Sequence, residues 1–375
     1  MGLLQPRLLF LDSSQLSAWA RDRVAGPPAR RERAAAFAES LIANGFVPLF
    51  SWHHIQELLG TKSASAASAA VSLMETLPLV AWIGHADGSD GPGSIVDQMA
   101  GELIAAVSHP DADDLTIRGL VRPRLIRFGA GGELASIVSG CWEALQPMFW
   151  QEAEDRRRQF AVTAATDAKS RSVRIIDLLE GRAGHGGDVG RRLSAQQLAL
   201  QRDVARHGDH RLEDPAAVSQ WFMDQVREIA RDLPPSMPEI TKKLLAIQGH
   251  DLEDLQPEDT VGDVLDRGEF RRKIEIAAEA AGLPDGSACQ VRHQQMPSWT
   301  IDAALSRHRQ PGNERVGSEP VDAHLACAAI YSDIAFVDKR TLEYLRQASA
   351  AGSLPAGLLD HALPNRDYAD VPTAF

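Results

Sequence analysis

The chain has few cysteines, and their spacing matches neither a zinc-binding motif nor a disulfide pattern. Three occur among 375 residues, Cys141, Cys289 and Cys327, and no two are spaced as C-x-x-C. The sequence therefore predicts neither a zinc knuckle nor a set of disulfides. Free thiols in a reducing compartment are the simpler interpretation, and they favour a cytoplasmic location.

Long apolar runs and an excess of positive charge are also missing. No stretch approaches the roughly 18 apolar residues of a membrane span, so no membrane partner is expected. The N-terminal residues MGLLQPRLLFLD lack the long apolar core of a signal peptide. The formal charge of -12 argues against a protein that coats nucleic acid through its overall field, although it does not exclude a local basic groove.

The stretch Val321 to Thr341, VDAHLACAAIYSDIAFVDKRT, predicts a helix followed by a buried strand. Small apolar residues recur at helical spacing up to Ile330, and the apolar run 334–337 has the length of a strand in a parallel sheet. Asp322 falls in the first turn of the helix, and Asp338 ends the strand. In an open α/β sheet both positions lie on the edge where ligands bind.

The N-terminal part of the chain repeats this arrangement twice. The apolar strand 8–11 ends at Asp12, and a helix follows it. The strand 46–50 leads through Ser51 into a helix that carries Glu57. Each passage from strand to helix thus places an acid near the same predicted edge.

Together, Asp12, Glu57, Asp322 and Asp338 resemble the acidic quartet of the PIN-like nuclease family. The matching segments are LLFLDSS, VPLFSWHHIQELL and the VDAHLACAAIYSDIAFVDKRT stretch. The resemblance implies an α/β fold of PIN-like type, with three layers around a central, mostly parallel sheet. One feature departs from the small family members, since about 200 residues separate the third strand from the third acid.

A change of composition near 109–114 predicts a domain boundary. We expect residues 1–108 and 301–375 to form the PIN-like core, and residues 109–300 to form an all-α insertion subdomain. The Pro/Gly/Asp-rich tail after Gly352 is expected to be loop.

Four converging carboxylates would repel one another, and divalent cations would relieve that repulsion. A site of oxygen ligands favours Mg²⁺ or Mn²⁺ over zinc. The resemblance implies Asp12 and Asp338 as direct ligands, Asp322 as a ligand or a water-orienting base, and Glu57 as a second ligand or an outer anchor. The competing interpretation is that each acid only caps a helix or lies on the surface.

Several further residues are candidates for substrate binding. Ser13 or Ser14 would hold the first carboxylate or a phosphate, and Lys339 and Arg340 follow Asp338 directly. The alternative for Lys339 and Arg340 is a solvated pair on the surface with no role in binding.

A second basic run contains Arg122 and Arg124 and alternates with apolar residues, so it predicts either a nucleic-acid track or an exposed strand or turn. Asp97 and Glu102 are interpreted as a solvated helix face rather than as site acids. His53 and His54 precede Glu57 but are not needed for the site.

The sequence thus favours a metal-dependent nuclease acting on RNA rather than DNA. The alternative is a catalytically weak PIN-like scaffold that binds nucleic acid or protein. An inhibitor or regulatory protein is a further candidate partner.

Overall fold

The computed structural model describes residues 6–182, 199–202, 204–205, 214–231, 234, 236–308 and 319–374. Within them, six strands form one sheet in the order β4-β3-β2-β1-β5-β6. The strands are β1 (Arg7–Phe10), β2 (Phe46–Phe50), β3 (Val80–Ile83), β4 (Ile126–Gly129), β5 (Ile334–Val337) and β6 (Ala362–Pro364). All neighbours are parallel except β4, which pairs antiparallel with β3. The expected α/β class with a mostly parallel sheet is confirmed.

Helices connect the strands and account for most of the remaining described chain. The first half contains α1 (Ser13–Ala25), α2 (Pro28–Ala43), α3 (Trp52–Leu59), α4 (Ala64–Thr76), α5 (Ile95–Ser108), α6 (Asp114–Leu125), α7 (Gly131–Ser139), α8 (Trp142–Ser170) and α9 (Ile175–Leu179). The second half contains α10 (Pro215–Arg231), α11 (Met237–Ile247), α12 (Val261–Ala280), α13 (Pro297–His308), α14 (Glu319–Ala329) and α15 (Lys339–Ala350). Gly45, just after α2, has φ +70°, a left-handed conformation that favours glycine at a helix end.

Alternating strand residues build a separate core on each face of the sheet. Leu8 and Phe10 pack on one side with residues of α5, α6, α13, α14 and α15. Leu9 and Leu11 pack on the other side with residues of α1, α2, α3, α4 and α7. This alternation follows from the period of two along a strand, and it produces three layers, helix, sheet and helix.

The described chain divides into two compact units. The first falls within residues 1–152, 273–309 and 320–375, and the second falls within 153–272 and 310–319. The observed boundaries therefore differ from the predicted ones at 108 and 300. The reason is tertiary pairing. Strand β4 completes the sheet edge beside β3, Val291 packs against the core of the first unit, and Lys273 forms an ion pair with Asp302.

The second unit is helical in nearly all of its described part. Ile175, Leu245 and Val264 form a small buried cluster within it. An isolated bridge joins Arg174 and Thr260. The described part of this unit is thus helical, whereas the segment 109–300 that was predicted to be all-α also contains strand β4.

Two local predictions of secondary structure were wrong. The basic run with Arg122 and Arg124 lies at the end of helix α6, because the apolar residues Ile117, Val121 and Leu125 recur every four residues and are buried. The tail after Gly352 contains β6, which pairs with β5, and a 3-10 segment, Tyr368–Ala374, whose first residue is 1% exposed.

Candidate functional site

Asp12 is the last residue before α1 and caps that helix. Its Oδ1 accepts a hydrogen bond from the backbone N of Ser14 at 2.8 Å, and its own backbone N donates to Gln15 Oε1 at 3.1 Å. Burial raises the pKa of Asp12, hydrogen bonds from Ser14 lower it, and the nearby charge of Asp338 raises it again. Burial and the neighbouring acid outweigh the hydrogen bonds, so a positive ligand would favour the ionised form.

Asp338 occupies the equivalent position one strand away. It follows β5 and caps α15, accepting hydrogen bonds from the backbone N of Arg340 at 2.8 Å and of Thr341 at 3.3 Å. Strands β1 and β5 are parallel neighbours in which Phe10 lies opposite Ala335. The two aspartates therefore leave the sheet side by side, as the sequence predicted.

Asn365 joins this pair from the third strand along the edge. It follows β6, and its Nδ2 donates to Asp12 Oδ1 at 3.3 Å and to Ser14 Oγ at 2.8 Å. Its backbone N donates to the carbonyl of Val337 at 2.8 Å, directly before Asp338. Sequence reasoning missed Asn365 because β6 has only three residues and gives no clear strand pattern.

The predicted substrate-binding residues around the pair differ in exposure. Ser14 is exposed, whereas Ser13 is 7% exposed and its Oγ has no hydrogen-bond partner among the described residues. Lys339 and Arg340 are exposed in the first turn of α15. These serines and cations thus flank the two aspartates.

Glu57 lies on α3, whose start is fixed against the end of β1. Nδ1 of the buried His54 accepts from the backbone N of Ser51 at 3.0 Å, and Nε2 donates to the carbonyl of Leu11 at 3.0 Å. Burial lowers the pKa of His54 to about 4, so this imidazole is neutral and structural. Glu57 itself is half-buried, one turn further along the helix.

Asp322 lies in the first turn of α14 and is half-buried. Two residues later, the ring of His324 contacts the ring of His53 on α3, with centroids 4.6 Å apart. His53 Nε2 also accepts from the backbone N of Ile95, at the start of α5, at 3.1 Å. Contacts between histidines thus join the helices that carry Glu57 and Asp322, which sequence reasoning did not foresee.

No group of three or more Asp, Glu, His or Cys side chains is placed to hold a metal ion within the described ranges. The structure therefore brings Asp12 and Asp338 together without showing the four predicted acids as one preformed cluster. Two carboxylates still fit Mg²⁺, which keeps several waters and commonly takes only one or two carboxylates from a protein. Near Asp12, the hydroxyl of Ser14 is a further hard oxygen, whereas Asn365 presents its Nδ2 donor to Asp12.

Arg122 lies far from this edge along the strands. Its Nη2 forms an ion pair with Asp333 Oδ2 at 2.7 Å, and the same oxygen accepts from the backbone N of Leu8 at 2.6 Å. Asp333 precedes β5, so this contact is at the opposite end of the strand from Asp338. Arg122 therefore stabilises the entry of β5 instead of extending the acidic site, while Arg124 is exposed on the last turn of α6.

Glu102 contradicts the expectation of a solvated helix face. It is 0% exposed on α5, and its Oε1 accepts hydrogen bonds from Ser298 Oγ at 2.5 Å and Tyr331 Oη at 2.6 Å. Burial raises the pKa of Glu102 to about 7, against the lowering effect of these hydrogen bonds. Asp97 is half-buried and accepts from the backbone N of Ser94 at 2.8 Å.

No protein-family model, curated protein or solved structure matches this chain. Among the described helices, none has both the length and the hydrophobicity needed to cross a membrane. The resemblance to PIN-like nucleases therefore rests on the residues and on the edge geometry alone.

Proposed function

We propose that this chain is a PIN-like, metal-dependent nuclease that hydrolyses phosphodiester bonds in RNA. The observation that carries the proposal is the pairing of Asp12 and Asp338 at the ends of adjacent parallel strands. The charge of Asp338 contributes to the raised pKa of Asp12, so the pair is suited to share a cation. Cytoplasmic location and binding of an inhibitor or regulatory protein belong to the same proposal.

In this proposal Asp12 and Asp338 bind Mg²⁺ or Mn²⁺, and Asn365 orients the Asp12 carboxylate through its 3.3 Å hydrogen bond. Such an ion supplies Lewis acidity, which lowers the pKa of water and polarises a phosphodiester. Glu57 and Asp322, on α3 and α14, act as further ligands or orient the attacking water.

Lys339 and Arg340 are exposed directly beside Asp338 and are suited to bind a substrate phosphate. Ser14 also faces solvent, next to the amide of Asn365. In hydrolysis the oxygen of one water forms a new bond to phosphorus, the bond between phosphorus and the leaving oxygen breaks, and a proton from the water passes to the leaving oxygen.

The absence of a three-ligand group in the described part of the chain favours a second candidate. In that case the same fold is a scaffold that binds nucleic acid or protein with weak or no cleavage. Retained RNA binding without metal-dependent turnover would identify it.

The test is cleavage of single-stranded RNA and DNA by the purified chain in Mn²⁺, in Mg²⁺ and in a chelator. We expect metal-dependent cleavage of RNA that falls at least about 100-fold in Asp12→Asn and in Asp338→Asn, because a lost ligand removes several kcal/mol of transition-state stabilisation. Asp333→Asn is the matched control, since it changes an aspartate at the other end of β5. Equal cleavage by wild type and both site variants, with folding verified, would reject the nuclease.

A further inference from the structure

A cavity of about 200 Å³ lies in the first unit, among helices α5, α12, α13 and α14. Ile95, Met99 and Trp299 are among its apolar lining residues. Met99 is 5% exposed and Trp299 is 7% exposed, so both are fixed by packing on the protein side of the cavity. The lining is therefore preformed and suited to a planar apolar ring.

The lining of this cavity also contains an ion pair. Lys273 Nζ lies 2.5 Å from Asp302 Oδ2, and both residues line the cavity. The same ammonium lies 5.3 Å from the ring centre of Trp299. The wall thus offers a hydrogen-bond donor and an acceptor next to each other, beside an indole.

The cavity adjoins the helices that carry two of the predicted acids. His324 lines it, and the ring of His324 contacts the ring of His53. Asp322 is two residues before His324 on α14, and Glu57 is four residues after His53 on α3. A polymer that reaches these helices could therefore place a neighbouring group in the cavity.

We propose that this cavity binds one nucleobase of the single-stranded RNA that the proposed nuclease cleaves, and so sets a base preference near the scissile bond. The inference rests on the proposed function. An apolar cavity of about 150 Å³ is known to accommodate benzene. A cavity of about 200 Å³ therefore has room for a somewhat larger ring with exocyclic groups.

The chemistry of a base also matches the lining. Each base has a π-face that can stack on an aromatic side chain and a Watson–Crick edge with a donor beside an acceptor. A purely hydrocarbon ligand would leave the Lys273–Asp302 pair desolvated without new partners. A base offers partners to both charges.

The first experiment measures binding of the four free ribonucleosides by calorimetry, with no metal added. We expect saturable binding of at least one nucleoside with Kd on the order of 1 mM. Val96→Trp adds an indole to the cavity lining and should weaken this binding at least about tenfold. Val107→Trp is the matched control, because it changes the same residue type on α5 at a position that is 37% exposed and outside the cavity.

The second experiment sequences the products of a random single-stranded RNA pool cleaved in Mn²⁺. We expect wild type and Val107→Trp to share a preference at one position near the cut, and Val96→Trp to lose it. The absence of nucleoside binding, or equal binding by Val96→Trp, would overturn the base site. Cleavage with no nucleoside binding would keep the nuclease and reject this cavity, whereas binding lost in Val96→Trp without any cleavage would support the cavity and reject the nuclease.

Discussion

The buried carboxyl of Glu102 should make the stability of the fold depend on pH. Burial raises its pKa from 4.5 to about 7, although Ser298 and Tyr331 donate hydrogen bonds that favour the ionised form. Between about pH 4.5 and 7 the folded protein then binds more protons at this position than the unfolded chain does. The free energy of unfolding therefore falls as pH rises through this window.

The magnitude follows from the size of the pKa shift. One pKa unit corresponds to about 1.4 kcal/mol, so Glu102 should remove up to about 3 kcal/mol of stability by pH 7.5 relative to pH 4.5. Glu102→Gln keeps the size and an acceptor oxygen but does not titrate. The stability of the wild type relative to this variant should therefore decrease by about that amount across the window.

The assay is urea unfolding of both proteins at intervals from pH 4.5 to 7.5. Glu75→Gln, which makes the same change at an exposed position on α4, is the matched control. If the difference in free energy of unfolding between wild type and Glu102→Gln stays constant with pH, the claim that burial dominates the pKa of Glu102 is refuted. A difference that increases with pH would mean that the hydrogen bonds prevail.

Three further predictions concern residues around the sheet. His54 is buried with its pKa lowered from 6.5 to about 4, so it should reduce stability by up to about 3 kcal/mol as pH falls from 6.5 to 4; His54→Gln should abolish that trend in the same urea assay. Arg122→Gln breaks a partly exposed ion pair with Asp333 and should lower the free energy of unfolding by less than about 1 kcal/mol, with RNA cleavage unchanged. Asn365→Ala releases Asp12 and should raise the Mn²⁺ concentration for half-maximal cleavage about tenfold or more; an unchanged metal requirement would rule out its positioning role.

The local sequence pattern was sufficient to predict the strands and helices that carry the proposed site. The apolar strand β1 followed by Asp12, and β5 followed by Asp338, are short-range signals in which burial and helix capping act over a few residues. The fold class could be predicted from these elements, because parallel strands joined by helices have few possible arrangements.

The features that were not predicted correctly depend on contacts between residues that are distant in the sequence. Glu102 has the spacing of an exposed helix residue, and hydrogen bonds from Ser298 and Tyr331, 196 and 229 positions away, help to make its burial tolerable. Asn365 becomes a contact of Asp12 because β6 pairs with β5, across 353 positions of sequence.

The sequence by itself thus determined the three-layer α/β core and the neighbouring positions of Asp12 and Asp338, because strand alternation and helix capping are local effects. Only the tertiary structure decided that Arg122 is paired with Asp333, that Glu102 is buried and that a cavity lies beside His324. Those outcomes depend on which distant side chain supplies the matching charge, hydrogen bond or apolar surface, and no local pattern contains that information.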